Sequence, residues 1–223
     1  MGPILGMAFV ASVMVGSTYF LSKFLPNFNA GPKKVREDLA KMKNELASDI
    51  ASLVPWSEEE KVLLSLKNES TGKRSGITKS YSGKFSSVYH EPLIVWRMKE
   101  YAGGKLQKII YARTSHLELT YRVTGEGIDV AVGDYFVGIY RKDHILYDSE
   151  KGKPIAQVQR DPARAFFPVI YQGKEIGSLT NPLKAEQMNP RAFGLIAQMN
   201  EQEEAIFVAL AFIEMMRLDY LEK

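Results

Sequence analysis

The last segment of the chain contains an unbroken run of apolar residues. Nine of them follow one another from Ala205 to Ile213. Asn200 is a good N-cap, and Glu203 three residues later completes a capping box, so the pattern predicts a helix over residues 201–221. The run covers every face of a helix, yet it is shorter than the about 20 residues that a bilayer requires. We therefore expect protein to bury this helix on all sides.

Short segments with strand-like patterns precede the helix, separated by turn residues such as Gly103-Gly104, Gly133-Asp134 and Gln172-Gly173. Turn signals every 8–12 residues or so are typical of an all-β barrel or sandwich, and a helix that needs a protein wall favours the barrel. We predict a mainly β fold, a closed antiparallel barrel of about 10–12 strands around the C-terminal helix. The clearest segments are Leu93–Tyr101, Leu106–Arg113, His116–Thr124, Ile128–Val132, Tyr135–Arg141, Ile145–Tyr147, Phe166–Tyr171, Glu175–Leu179 and Phe193–Gln198.

Residues 1–25 include a stretch with the length and composition of a transmembrane helix. Pro3 to Leu21 spans 19 residues without a charge, close to the about 20 that cross a bilayer. A cleaved signal peptide is the alternative, although no basic residue precedes the run. Small residues in such helices allow a partner helix to pack closely, and the candidate contacts are Gly6, Ser12 and Gly16.

The charges around this stretch predict its orientation. Lysine and arginine are absent before it, whereas Lys23, Lys33, Lys34 and Arg36 follow it. The positive-inside rule then places the N-terminus outside and the remaining chain on the cytoplasmic or organelle-interior side. We expect a single-pass protein of an inner or plasma membrane.

Residues 26–76 are predicted to be a linker with an amphipathic helix over 33–54. Its apolar positions recur every three or four residues, as in a coiled-coil seam, and we expect them to pack on protein, either this chain or a partner helix. The seam comprises Val35, Leu39, Met42, Leu46, Ile50 and Leu53.

A second capping box follows, formed by Ser57 and Glu60, and predicts a short helix over residues 57–66. The polar, glycine-containing residues 68–76 predict a loop. The barrel domain is accordingly expected to extend over residues 77–223.

Three motifs give the chain a family resemblance. Two are strand motifs that begin at a turn glycine, Gly152–Arg160 and Gly173–Thr180, and the third is the C-terminal segment Glu203–Glu214. Together they resemble the tubby-like fold, which phospholipid scramblases and LURP-one-related proteins share. The resemblance covers about residues 77–223 and implies a barrel closed around its last helix. The acidic calcium-binding segment of scramblases is not matched by residues 189–194, so calcium-driven scrambling is not implied.

Composition narrows the range of functions. The 223 residues carry a net charge of only +3, which argues against nucleic acid as a partner, and the chain has no cysteine for disulfides, thiol catalysis or thiolate metal sites. His90, His116 and His144 lack ligand spacing, and no nucleophile elbow or phosphate loop occurs. We therefore predict a protein that is not an enzyme, with no catalytic residue, cofactor or metal.

Basic residues remain as candidates for binding. Six are predicted to contact an anion or an anionic lipid headgroup if they converge, and a solvated strand exterior is the alternative that their scatter along the chain favours: Lys73, Arg74, Lys79, Lys84, Arg141 and Lys142. Our first functional hypothesis is a membrane-anchored accessory subunit that docks on a larger membrane protein complex. The alternative is a scramblase-like or tubby-like protein that recognises anionic headgroups.

Overall fold

The structure, a computed structural model, describes residues 30–75, 78–148, 150, 152–185 and 189–221. The predicted transmembrane helix over residues 1–25, with Gly6, Ser12 and Gly16, lies outside these residues. Within them, no helix combines the length and the apolar character that crossing a membrane requires.

Twelve antiparallel strands form one sheet in which each strand pairs with the next in sequence. The predicted mainly β, antiparallel architecture is confirmed. The strands are β1 (Leu64–Ser75), β2 (Thr78–Ser87), β3 (Pro92–Glu100), β4 (Leu106–Arg113), β5 (Glu118–Thr124), β6 (Ile128–Val132), β7 (Tyr135–Tyr140), β8 (Ile145–Asp148), β9 (Pro154–Val158), β10 (Phe166–Tyr171), β11 (Lys174–Thr180) and β12 (Phe193–Ile196).

The sheet curls into a nearly closed barrel, because its first strand meets the segment just before its last. Leu66 N–H donates to the carbonyl of Pro190 at 2.9 Å, and Ala192 N–H donates to that of Leu64 at 2.7 Å. Ser65 and Arg191 form an isolated antiparallel bridge between these contacts. A few hydrogen bonds thus join the two edges.

Within the described residues, three α-helices accompany the barrel: α1 (Pro32–Ile50), α2 (Glu58–Lys61) and α3 (Glu201–Met216), the last followed by a π-helical turn over Arg217–Leu221. The predicted capping box of α3 is present, since Asn200 Oδ1 accepts from Glu203 N–H at 2.9 Å and Glu203 Oε2 accepts from Asn200 N–H at 3.0 Å. The side chains of α3 from Ile206 to Ile213 are all buried and share one hydrophobic core with the inward faces of the strands.

Helix α1 lies on the outside of the barrel, against β3 and β4. Its seam residues Val35, Met42 and Leu46 are buried in a second, smaller apolar cluster. Leu39, Ile50 and Leu53 pack around its edge, and the strands contribute Val95, Tyr101, Leu106, Ile109 and Tyr111. This chain's own sheet therefore covers the seam, the first of the two predicted alternatives.

The sequence prediction for residues 62–75 is wrong. The helix that Ser57 caps ends at Lys61, and residues 64–75 form β1 instead of a helix end and a loop. The far half of β1 pairs with β2 alone, and residues 71–74 are exposed. A polar strand in such a two-stranded ribbon lacks the apolar alternation that marks a strand with one buried face.

The barrel has two ends, which we call proximal and distal. Helix α1 begins at the proximal end, where Asp38 contacts Tyr101 just after β3. The turns between β3–β4, β5–β6, β7–β8, β9–β10 and β11–β12 also lie there, because each strand reverses direction. At the distal end, Val54 N–H donates to the carbonyl of Pro92, and Trp56 Nε1–H donates to Glu204 at the start of α3.

Candidate anion-binding surface

A polar groove of about 600 Å³ runs between α1 and the outer face of strands β1 to β3. Four cationic side chains line it, Lys41, Lys73, Arg97 and Lys99, against two carboxylates, Asp38 and Glu45. The groove therefore has more positive than negative charge, which favours an anionic ligand.

Hydroxyl groups from β1 and β2 complete the lining of the groove. Thr71, Ser80 and Ser82 face it, and the Thr71 and Ser82 hydroxyl oxygens lie 3.2 Å apart. Gly72 lies opposite Tyr81, and a Cβ there would come within 2.9 Å of the tyrosine ring, so glycine allows this close packing. Hydroxyls and cations together can bind phosphate oxygens.

Asp38 fixes the start of α1 to the barrel and organises the proximal part of the groove. Its Oδ2 accepts hydrogen bonds from Lys99 Nζ and the Tyr101 hydroxyl, both at 2.8 Å, and Lys34 Nζ lies 3.1 Å from its Oδ1. Burial alone would raise the pKa of Asp38, but Lys99, Tyr101 and Lys34 together lower it below its usual value. One carboxylate thus lies between two lysine side chains.

Replacing Asp38 by asparagine is expected to loosen α1 from the barrel. The change leaves two lysines without a carboxylate and weakens three polar contacts, at a cost of about 1–3 kcal/mol. Hydrogen exchange is expected to show lost protection in α1 and unchanged protection in α3. Glu37→Gln, on an exposed position of the same helix, is the control. Equal protection in both variants would contradict this role.

The structure scatters the six predicted anion-contacting residues. Lys73 alone among them lines the groove. Arg74 and Lys79 face each other across the β1–β2 ribbon, with Lys79 Nζ 3.4 Å from Glu100. Lys84 pairs with Glu69 at 3.3 Å further along the ribbon.

Arg141 and Lys142 lie in the β7–β8 turn, also at the proximal end but away from the groove. The Arg141 guanidinium stacks 4.6 Å from the centre of the Tyr147 ring, and Lys142 is exposed. They add positive charge to the proximal end without joining the groove.

A second charged cluster lies where α3 ends, inside the proximal end. The Glu214 side chain is only 7% exposed, and it accepts from the Tyr140 hydroxyl at 2.8 Å and from Arg217 Nε at 3.2 Å. Arg160 Nε lies 3.6 Å and His144 Nδ1 3.5 Å from its oxygens. Burial would raise the pKa of Glu214, but these four neighbours lower it below the usual value. The cluster fastens α3 to the β7–β8 and β9–β10 turns.

Sequence reasoning missed most of the groove. Arg97 and Lys99 lie in a segment that reads as a buried strand, and Lys41 lies on the mixed polar face of α1. Only the packing of α1 on β3 brings them together, and no local motif marks that contact. The described residues also contain no histidine–carboxylate group that could hold a metal ion.

No family model, curated protein or solved structure matches this chain.

Proposed function

We propose that this chain is a membrane-anchored, non-enzymatic protein that holds the proximal end of its barrel against anionic lipid headgroups. One observation carries the proposal: the cationic groove and the start of α1 lie at the same end of the barrel. Residues 1–29 join α1 at that end, so an anchor formed by residues 1–25 brings the groove to the bilayer. This arrangement agrees with the predicted topology, in which the N-terminus lies on the opposite side of the membrane from the barrel.

The charges at the two ends of the barrel support the same orientation. Most charged residues in the proximal turns are basic: Lys105, Arg141, Lys142, Arg160, Arg164 and Lys184, against the acidic Glu126, Asp143 and Asp161. At the distal end, α2 and the first turn of α3 are acidic, with Glu58, Glu59, Glu60, Glu201, Glu203 and Glu204. An anionic leaflet attracts basic residues by about 1 kcal/mol each near its surface and repels acidic ones. The electrostatic field of the barrel therefore favours an orientation in which the proximal end faces the membrane.

The proposed assignment to the tubby-like barrels is supported by the consecutive twelve-strand order and by the apolar α3 within the barrel core. Both agree with what the motifs at residues 152–160, 173–180 and 203–214 imply. The proposal concerns headgroup binding and includes no calcium-driven lipid transfer.

Short-chain lipids test the headgroup proposal on the full chain in mild non-ionic detergent. Dihexanoyl phosphatidic acid is expected to bind, and dihexanoyl phosphatidylcholine is not. Replacing Lys41 and Lys73 together by glutamine is expected to weaken phosphatidic acid binding about tenfold or more, since each lysine contributes about 1 kcal/mol. Higher salt is expected to weaken it further.

The control is Lys84→Gln, which removes a lysine of the same β1–β2 ribbon that lies outside the groove. Equal losses in the control and the double variant, or equal affinity for the two lipids, would falsify groove binding. Inorganic phosphate serves as a further arm, and competition by phosphate alone would indicate a free anion as the ligand.

A second candidate function, an accessory subunit of a membrane complex, is supported by exposed aromatic residues at the distal end. Tyr135, the first residue of β7, is 72% exposed, and Tyr89 in the β2–β3 turn is 69% exposed. Both lie at the end of the barrel that faces away from the proposed membrane side. A mild-detergent pull-down with mass spectrometry tests it. Stoichiometric membrane subunits would support this function, whereas recovery of the chain alone would contradict it.

A further inference from the structure

The loop after β11 presents an exposed leucine on a rigid support at the proximal end. Leu183 is 72% exposed, whereas Asn181 two residues earlier is 1% exposed. The Asn181 side-chain amide donates to the carbonyls of Arg164 at 2.8 Å and of Pro162 at 3.4 Å, and its Oδ1 accepts from Leu183 N–H at 3.0 Å. One buried asparagine thus fixes the β9–β10 and β11–β12 loops together and holds Leu183 outward.

Phe166 lies beside this loop and is also exposed. It begins β10 and pairs with Thr180, three residues before Leu183, and it is 47% exposed. Its ring lies directly over Gly194 of β12, where a Cβ would come within 2.2 Å of Phe166 Cδ1. The glycine therefore leaves room for the Phe166 ring against β12.

Basic residues flank the two apolar side chains. Lys184 follows Leu183 and is exposed, and Arg164 on the neighbouring loop is 61% exposed while it pairs with Asp161 at 3.3 Å. Apolar side chains bordered by cations are the combination that holds a surface at the boundary between headgroups and acyl chains of an anionic bilayer.

We propose that Leu183 and Phe166 form a membrane-inserting tip, which enters the interfacial region of an anionic bilayer while Lys184 and Arg164 contact headgroups. The proposal rests on the proposed function, because it requires the proximal end to face the membrane. A bilayer fits better than a partner protein as the occupant, since the chain that leaves this end toward the N-terminus contains 19 consecutive uncharged residues. The tip and the groove then contact one membrane surface from different sides of the barrel.

Because the natural chain has no cysteine, single cysteines can carry an environment-sensitive nitrobenzoxadiazole label at chosen positions. Leu183→Cys reports on the tip, and Glu37→Cys, on an exposed position of α1 one turn before Lys41, reports on the groove without removing one of its cations. Tyr135→Cys is the matched control, since Tyr135 is also 72% exposed but lies at the distal end. Each labelled full-length chain is reconstituted in nanodiscs of phosphatidylcholine with or without phosphatidylserine.

In discs that contain phosphatidylserine, the label at residue 183 is expected to shift to the blue, to brighten about twofold or more, and to be quenched by nitroxide-bearing lipids. The label at residue 135 is expected to behave as in water. If the label at residue 183 shows the same emission and quenching as the label at residue 135, the proposed membrane-inserting tip is wrong.

The groove label separates failure of the tip from failure of the proposed function. If residue 37 senses phosphatidylserine while residue 183 remains in water, headgroup binding stands and the tip is wrong. If neither residue senses the bilayer, both proposals are wrong. The flanking cations are tested by adding Arg164→Gln or Lys184→Gln to the chain labelled at residue 183. An unchanged signal from the label in both variants would contradict their role.

Discussion

Replacing Phe212 by alanine is expected to lower the free energy of unfolding by about 3–5 kcal/mol. Phe212 is 0% exposed in the middle of α3, stacked on Tyr121 with ring centres 5.4 Å apart and set edge-on to Phe85 at 6.0 Å. The side chain thus connects the helix to strands on two parts of the wall. Removing it leaves a cavity that the surrounding strands, bound to one another, cannot close.

Urea unfolding followed by tryptophan fluorescence measures this change, since Trp56 and Trp96 are both buried and signal the loss of the core. Phe136→Ala is the matched control, because Phe136 is 42% exposed on β7 and is expected to change stability by less than about 0.5 kcal/mol. A similar midpoint for the two variants would show that α3 is not a core element of the barrel.

Replacing Glu214 by glutamine is expected to cost a similar amount, about 3–5 kcal/mol near neutral pH. The change leaves the guanidinium groups of Arg160 and Arg217 without their buried carboxylate. Glu175→Gln on an exposed position of β11 removes the same charge at the surface and is expected to have little effect. Comparable losses from both changes would mean that overall charge, and not the buried cluster, sets the effect.

The pH dependence provides a second measurement of the Glu214 cluster. Because the folded protein lowers the pKa of Glu214, its contribution to stability is complete above the ordinary value of 4.5 and is lost as the pH falls through the lower, folded-state pKa. The stability difference between the natural chain and Glu214→Gln is therefore expected to shrink during acid titration below about pH 4.5. A difference that stays constant down to acid unfolding would contradict the lowered pKa.

Much of the barrel could be predicted from sequence, because its signals are local. The bounds of β4, β6 and β10 coincide with those that alternation and turn residues predict. β3 also reads clearly, for a different reason: Ile94 and Trp96 face the interior while Val95 faces α1, so both sides of the strand are buried and the apolar run is continuous. The apolar run of α3 and its capping box were equally sufficient to predict a buried helix.

The groove and the tip could not be predicted, because neither depends on a local pattern. Lys41 and Arg97 become neighbours only when α1 docks on the outside of β3, a contact between segments more than 50 residues apart. Leu183 looks like any leucine beside a turn. Its exposure follows from the hydrogen bonds that Asn181 makes with a loop 17 or more residues earlier. The far half of β1 was missed because its residues are polar on both faces of the strand.

The position of α3 has a consequence for biosynthesis. All twelve strands precede it in the chain, so the wall of the barrel leaves the ribosome before the segment that fills it. Until α3 emerges, the inward-facing apolar side chains of the strands have no core to bury them, and they remain exposed to aggregation or to chaperones. Folding of this barrel therefore finishes only after translation has passed Met216, and any pause before that point prolongs the exposed state.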